Sequence, residues 1–152
     1  MATDITYRGS HCGICVVDLE RSMRFYRDGL GFEEGPLYKV GNEFEASLEV
    51  EGDGEIVLTS QFLSQAGMTI ELLHFERPGS VGEPSSNRNR RGLTHLSFEV
   101  DDVDAAAARL ETFGGSVVTG TRVGAGDPAA VQIVFLSDPD GVRVELMQVP
   151  SI

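Results

Sequence analysis

The sequence is poor in cysteine, poor in positive charge, and has no long apolar stretch. Two cysteines in 152 residues cannot build a disulfide scaffold. Lys and Arg number 12 against 24 Asp and Glu, a formal charge of -12. A field of that sign repels phosphate, which argues against nucleic acid and anionic membrane surfaces as partners. No run of about 18 apolar residues occurs, so no transmembrane helix is expected. The opening MATDITYRG lacks a basic segment followed by an apolar one, and a cytoplasmic location is expected from that. The glycine-rich segment 114–130 has no Gly-Lys-Ser/Thr ending and is not a nucleotide phosphate loop. With 41% hydrophobic and 24% charged residues, what remains is a small acidic chain able to pack one core.

An internal repeat organises that chain. His11-Cys12-Gly13-Ile14-Cys15-Val16-Val17-Asp18 is answered 84 residues later by His95-Leu96-Ser97-Phe98-Glu99-Val100-Asp101-Asp102. A second block follows in each half: Phe62-Leu63-Ser64 with Ile70-Glu71-Leu72, and Phe135-Leu136-Ser137 with Val144-Glu145-Leu146. A short strand opens each unit. Asp18 and Asp102 suit the caps of following helices, with Leu19, Met23, Tyr26 and Leu30 on one inner face and Val103, Ala107, Leu110 and Phe113 on the other. Strands are expected at Phe44–Val50, Ile56–Gln61 and Met68–Phe75, then at Ser116–Thr119, Val131–Leu136 and Val142–Val149. Asp138-Pro139-Asp140-Gly141 reads as a hairpin turn. The unit is β-α-β-β-β, twice, in a single α+β domain spanning 1–152: a first module over 7–75, a linker over 76–92 and a second module over 93–150.

Strand alternation assigns faces. His11, Gly13, Cys15 and Val17 share one face of the first strand, and His95, Ser97 and Glu99 share the matching face of its copy. Glu71 and Glu145, each between two aliphatic residues, point the same way. Each unit thus offers one imidazole and one carboxylate to its non-helical side, where an apolar core has little reason to keep Glu. Two His and two Glu balance a divalent ion and suit Ni, Zn, Co, Mn or Fe, with positions left for water or substrate. His74 falls on the opposite face from Glu71. Cys12 and Cys15 spell Cys-x-x-Cys, but residues three apart on a strand face opposite ways; they read as small hydrophobes, with Cys15 lining the pocket. The linker carries four Arg against two Glu. It reads either as a solvated connection or as a loop whose Arg88, Arg90 and Arg91 hold an anionic group of the substrate.

These residues resemble the glyoxalase / bleomycin-resistance / extradiol-dioxygenase superfamily, the vicinal oxygen chelate fold. The likeness runs from His11 with VVDLERSMRFYRDGLGF, through His95 with SFEVDDVDAAAARL, to the closing DPDGVRVEL. It implies two βαβββ modules forming a curved mixed sheet around a central cavity, with helices on the outer face. It also implies His11, Glu71, His95 and Glu145 as metal ligands. The chemistry implied is chelation of substrate oxygens by the ion, with a neighbouring carboxylate, Glu145 first and Glu71 second, moving a proton next to a carbonyl. The chain departs from glutathione-dependent glyoxalase I at Cys15 and Phe75, where that enzyme carries Arg and Asn, and from methylmalonyl-CoA epimerases at Glu71, where those carry Gln. Three functions follow: a metal-dependent lyase or isomerase of the glyoxalase type; an Fe(II) ring-cleaving dioxygenase using His11, His95 and Glu145; and an antibiotic-binding or antibiotic-modifying resistance protein. The partner is a small-molecule substrate, and a homodimer is expected, with the ligands meeting within one chain or across two.

Overall fold

Two carboxylates start the two helices. Asp18 Oδ1 accepts from the Arg21 amide at 3.0 Å, and Asp102 Oδ1 accepts from the amides of Asp104 and Ala105 at 3.0 and 2.9 Å. Behind these caps run α1 (Leu19–Met23) and α2 (Val103–Thr112) in a computed structural model that describes residues 5–44, 48–52, 54–127 and 129–150. α1 continues directly into a π-turn over Arg24–Gly29, where the Leu30 amide reaches the Phe25 carbonyl, five residues back, at 3.0 Å. This wider turn changes the inner face. Met23 and Tyr26 are buried as the spacing requires, and Leu19 and Leu30 pack at the margin of the core. Phe25, which a 3.6-residue period turns outward, is fully buried, its ring edge-on to Tyr26 at 5.1 Å.

The strands form two four-stranded sheets with the same topology. In the first module β1 (Cys12–Cys15), β2 (Glu33–Val40), β3 (Val57–Gln65) and β4 (Met68–Arg77) lie in the order β1-β4-β3-β2. In the second, β5 (Leu96–Glu99), β6 (Ser116–Val117), β7 (Gln132–Ser137) and β8 (Arg143–Gln148) lie in the order β5-β8-β7-β6. β1 runs parallel to β4 and β5 to β8; the other pairs are antiparallel. This is the α+β class expected, with the strands paired as two sheets instead of one continuous sheet.

One strand lies outside its expected span. The expected strand over Phe44–Val50 is not seen in its described part: Asn42–Phe44 is a 3-10 turn, and 45–47 lie outside the described residues. The second strand of the module is instead Glu33–Val40, whose Gly35-Pro36 step and paired glutamates hide it. Proline lacks the amide a central strand needs, but β2 is an edge strand, and its ladder shifts register between Glu34 and Leu37 to pass the Gly-Pro step. β4 extends to Arg77 and takes in the first two residues of the expected linker. No helix among the described residues is long and apolar enough to cross a membrane.

Alternation along the strands sends Ile14, Val16, Ile70, Leu72, Leu96, Val144 and Leu146 inward, where they join residues of both helices in one cluster shared by the two modules. The seam between modules is polar at one end. The Asp138–Gly141 turn docks on the start of α1: Tyr26 donates its hydroxyl to Asp138 Oδ2 at 2.8 Å, and Asp140 accepts from the Val17 amide at 3.2 Å and pairs with the Arg21 guanidinium. At the other end Arg109 donates to the carbonyls of Gly29 and Asp28, at 3.0 and 2.6 Å, satisfying groups that the end of the π-turn leaves open. Between them the backbone of Gly115 lies against Phe25. A β-carbon there would sit 2.8 Å from Phe25 Cε2 and 3.1 Å from the Leu110 carbonyl oxygen. Gly115→Ala is therefore expected to cost about 1–3 kcal/mol of stability in urea unfolding, and less in a Phe25→Leu background, where the ring edge is gone.

Candidate metal centre

The parallel pairing of first and last strands brings each histidine beside its glutamate. In the first module Gly13 lies opposite Glu71, and His11, just before β1, places Nε2 3.1 Å from Glu71 Oε2. In the second, Ser97 lies opposite Glu145, and His95 Nε2 is 3.5 Å from Glu145 Oε2. The flanking residues of both strands are apolar and buried, so the period of two leaves the carboxylates no inward position: Ile70, Leu72, Val144 and Leu146 are all 0% exposed.

The support around each pair is duplicated as well. The residue before each histidine turns a hydroxyl to Nδ1: Ser10 at 3.0 Å from His11 and Thr94 at 2.9 Å from His95. Nε2 is thereby left for the carboxylate side. Phe62 stands opposite Glu71 in register and packs edge-on to His11 at 5.1 Å; Phe135 stands opposite Glu145 and packs on His95 at 5.5 Å. A serine holds each carboxylate, but from different strands. Ser60 on β3 donates to Glu71 Oε1 at 2.5 Å, so both Glu71 oxygens are engaged. Ser97 on β5 donates to Glu145 Oε2 at 2.6 Å, the oxygen that also faces His95, and Oε1 has no partner among the described residues.

The donor set fits a divalent ion. Two donors about 2.1 Å from one ion lie about 3.0 Å apart at a right angle and about 3.4 Å apart at the tetrahedral angle. The observed separations of 3.1 and 3.5 Å are those of neighbouring ligands, with the imidazole nitrogens oriented by hydroxyls as metal-bound histidines are. Each pair supplies two donors, however, and no group of three or more His, Cys, Asp or Glu that could hold an ion occurs among the described residues of one chain. Within one chain the described residues thus form two separate His–Glu pairs.

The other expected residues are distributed around these pairs. His74 faces the helix side, Nδ1 at 3.5 Å from the Val16 carbonyl. Cys12 packs half-buried against the core while Cys15 is exposed; both are free thiols on opposite faces of β1. Cys15 lines a cleft of about 580 Å³ with Arg21, Asp140 and the linker residues Ser80–Pro84, and a second of about 270 Å³ that includes His95. Partial desolvation of its sulfur in the cleft, and then the charge of Asp140, push its thiol up, away from the thiolate that redox or nucleophilic chemistry requires. Arg88 lays its guanidinium over Phe135, Cζ 3.9 Å from the ring centre. Arg90 and Arg91 are exposed, and their side chains make no ion pair or hydrogen bond among the described residues. Beside Glu71 the open face of the first sheet is hollowed to about 420 Å³ between Tyr38, Leu58, Phe62 and Leu73.

Phe62, Phe135, Ser60, Ser97 and Tyr38 were not singled out from the sequence. The two phenylalanines had a signal: both open the repeated Phe-Leu-Ser block, and antiparallel pairing across the short turn sets that phenylalanine opposite the glutamate. The serines had none, because the hydroxyl changes strand between modules. Gly13 occupies the place of Ser97, and Ile133 that of Ser60.

Residues 8–146 match the family model for the Glyoxalase/Bleomycin resistance protein/Dioxygenase superfamily. Among similar proteins, the uncharacterized protein YaeR of Escherichia coli (strain K12) is 34% identical over 91% of this chain and 93% of its own length. A lactoylglutathione lyase of Pseudomonas aeruginosa is 32% identical over 93% of this chain and 82% of its own length. The crystal structure of a glyoxalase family protein from Bacillus cereus superimposes with a TM-score of 0.75 over 97% of both chains, at 19% identity. Relatives of comparable identity also include an epimerase and a dioxygenase, so likeness alone does not choose a reaction.

Proposed function

The chain belongs to the glyoxalase/bleomycin resistance protein/dioxygenase superfamily, and from that premise we propose that it is a metal-dependent lyase or isomerase of the glyoxalase type, transferring a proton next to a chelated carbonyl of a small substrate. The observation that carries this reading is the duplicated His–Glu pair, each at ligand-to-ligand separation and each short of a full set by two donors. His11 and Glu71 of one protomer with His95 and Glu145 of another make four donors, so the working unit is a homodimer with two equivalent sites. A divalent ion held there (Ni, Zn, Co, Mn or Fe) would polarise the substrate carbonyl and neutralise the charge developing on its oxygen.

The residues of this chain divide the remaining tasks. Glu71, with one oxygen on Ser60 and the other facing His11, is held in place and acts as a ligand. Glu145 has an unengaged oxygen, Oε1, which accepts the proton from the carbon beside the carbonyl and returns it to the neighbouring position. Phe62 and Phe135 pack edge-on against the histidines and fix the planes of their rings. A ring-cleaving iron centre needs one carboxylate only, and the presence of a serine-held glutamate beside each histidine favours the lyase or isomerase chemistry.

Elemental analysis of the purified protein is expected to find one divalent ion per chain, and a screen of α-keto compounds and acyl thioesters to find a substrate. On that substrate Glu145→Gln should lower turnover by about 10²- to 10⁴-fold. Full turnover by Glu145→Gln would remove Glu145 as the base, and absence of any bound divalent ion would end the metal-dependent reading.

A further inference from the structure

The open faces of the two sheets are built alike around the His–Glu pairs and differently beyond them. Around Glu71 the hollow between Tyr38, Leu58, Phe62 and Leu73 is lined by no basic side chain among the described residues. Around Glu145 the surface is cationic. Arg88 stacks on the face of Phe135, and Arg143 approaches the same ring at 6.0 Å. Phe135 is the ring that packs on His95, so the Arg88 guanidinium lies one ring away from the His95–Glu145 pair.

Two features mark Arg88 as held for a ligand and not merely exposed. The first is its seat: of Arg88, Arg90 and Arg91, none of which forms an ion pair among the described residues, Arg88 is the one whose guanidinium stacks on a ring. Stacking on a ring uses the face of the guanidinium and leaves its N–H edge free to donate. The second is that the linker carrying it is tied down. Arg143 donates to the Ser86 carbonyl at 2.7 Å, Ser85 to the Asn87 carbonyl at 3.0 Å, and the Arg90 amide closes a turn onto the same Asn87 oxygen at 3.2 Å. An arginine on such a turn loses little further freedom when it binds an anion.

We propose that the site takes an anionic carbonyl compound with one compact apolar group: the apolar group lodges in the hollow beside Glu71, the carbonyl lies between the two His–Glu pairs, and a carboxylate is held by the N–H edge of Arg88. This rests on the dimeric lyase or isomerase reading, which places the Glu71 face of one protomer against the Arg88 face of the other. It makes Arg88 a specificity-determining residue and gives Arg90 and Arg91, two and three residues further along, no such part.

The probes are 4-phenyl-2-oxobutanoate and its methyl ester, which share the apolar group and the carbonyl and differ in charge. Calorimetric titration of the purified full-length protein should show the acid binding about ten- to a hundredfold more tightly than the ester, the range of a charge-assisted contact. Arg88→Met, which keeps an unbranched apolar stem over Phe135, should bring that ratio close to one by weakening the acid alone. Arg90→Met should leave the ratio unchanged. An acid preference that survives Arg88→Met, an equal loss in Arg90→Met, or failure of both compounds to bind would overturn the inference. The proton-transfer reading fails separately, through turnover of Glu145→Gln, on which the binding ratio does not depend; parent and Arg88→Met are compared at equal metal content, because a 2-oxo acid also chelates a divalent ion more tightly than its ester does.

Discussion

Two inactive variants should restore each other when mixed. A chain carrying His11→Ala and Glu71→Ala leaves only the His95–Glu145 half-site, and a chain carrying His95→Ala and Glu145→Ala leaves only the other. As homodimers neither can assemble four donors, and both should lose the bound ion and all turnover. Unfolded, mixed in equal amounts and refolded together, about half of the dimers would join one chain of each kind, and each such dimer would have one complete site and one empty of ligands. About a quarter of the wild-type metal content and activity should return. The expectation comes from the distances: 3.1 and 3.5 Å within each His–Glu pair, and no third donor beside either pair within the described residues of one chain. If mixing restores nothing while both variants fold and dimerise, the pairs do not combine across subunits, and the proposed centre fails with them.

The pairs themselves could be read in advance because their placement depends only on the period of a strand. Once Ile70, Leu72, Val144 and Leu146 are assigned to a core, Glu71 and Glu145 have one direction left, and the same holds for His11 and His95 beside Ile14 and Leu96. What could not be read is whatever depends on geometry between elements. Phe25 is buried because the chain widens into a π-turn, and side-chain spacing at 3.6 residues carries no sign of that. Glu33–Val40 is a strand because it lies at an edge, and its own residues argue the other way. The separation of the four candidate ligands into two pairs within one chain is of the same kind. The duplication places each His near one Glu through local strand pairing, but which sheet faces which depends on how the modules dock, and the hydrogen bonds of Tyr26, Asp138 and Arg109 that fix the docking have no periodic signature. The Asp138–Gly141 segment was legible as a turn; its role as the clasp between modules was not.

That clasp should dominate stability. Asp138 is 3% exposed and accepts three hydrogen bonds: from the Tyr26 hydroxyl at 2.8 Å, and from the amides of Asp140 and Val142 at 2.9 and 2.7 Å. Asp138→Ala would strand all three donors, and at roughly 1–3 kcal/mol for each buried group left unsatisfied the expected loss is about 3 kcal/mol or more, a large share of a typical domain's stability. Asp138→Asn should cost much less, since one amide oxygen keeps the two backbone donors and the Tyr26 hydroxyl can turn to accept from the amide nitrogen. Tyr26→Phe should fall between, leaving one carboxylate oxygen without its donor. Urea unfolding of the three variants checks the order, and an Asp138→Ala protein as stable as the parent would mean the seam is held elsewhere.

The same pair sets an alkaline limit. Burial, reinforced by the adjacent charge of Asp138, pushes the Tyr26 hydroxyl well above the ordinary phenol range. Folded Tyr26 therefore keeps its proton at pH values where unfolded tyrosine has lost it. With more protons bound in the folded state, stability must fall as pH rises past about 10, the ordinary phenol value. Burial also raises the Asp138 carboxyl against the pull of its hydrogen bonds, so this group too favours the folded state most when protonated, with its contribution declining as pH climbs out of the carboxylate range. Stability measured between neutral pH and pH 11 should show a steep alkaline decline in the parent and a shallower one in Tyr26→Phe, even though that variant is the less stable of the two at neutral pH. An unchanged alkaline slope in Tyr26→Phe would show that some other group carries the proton uptake, and that the phenol is free to ionise where it stands.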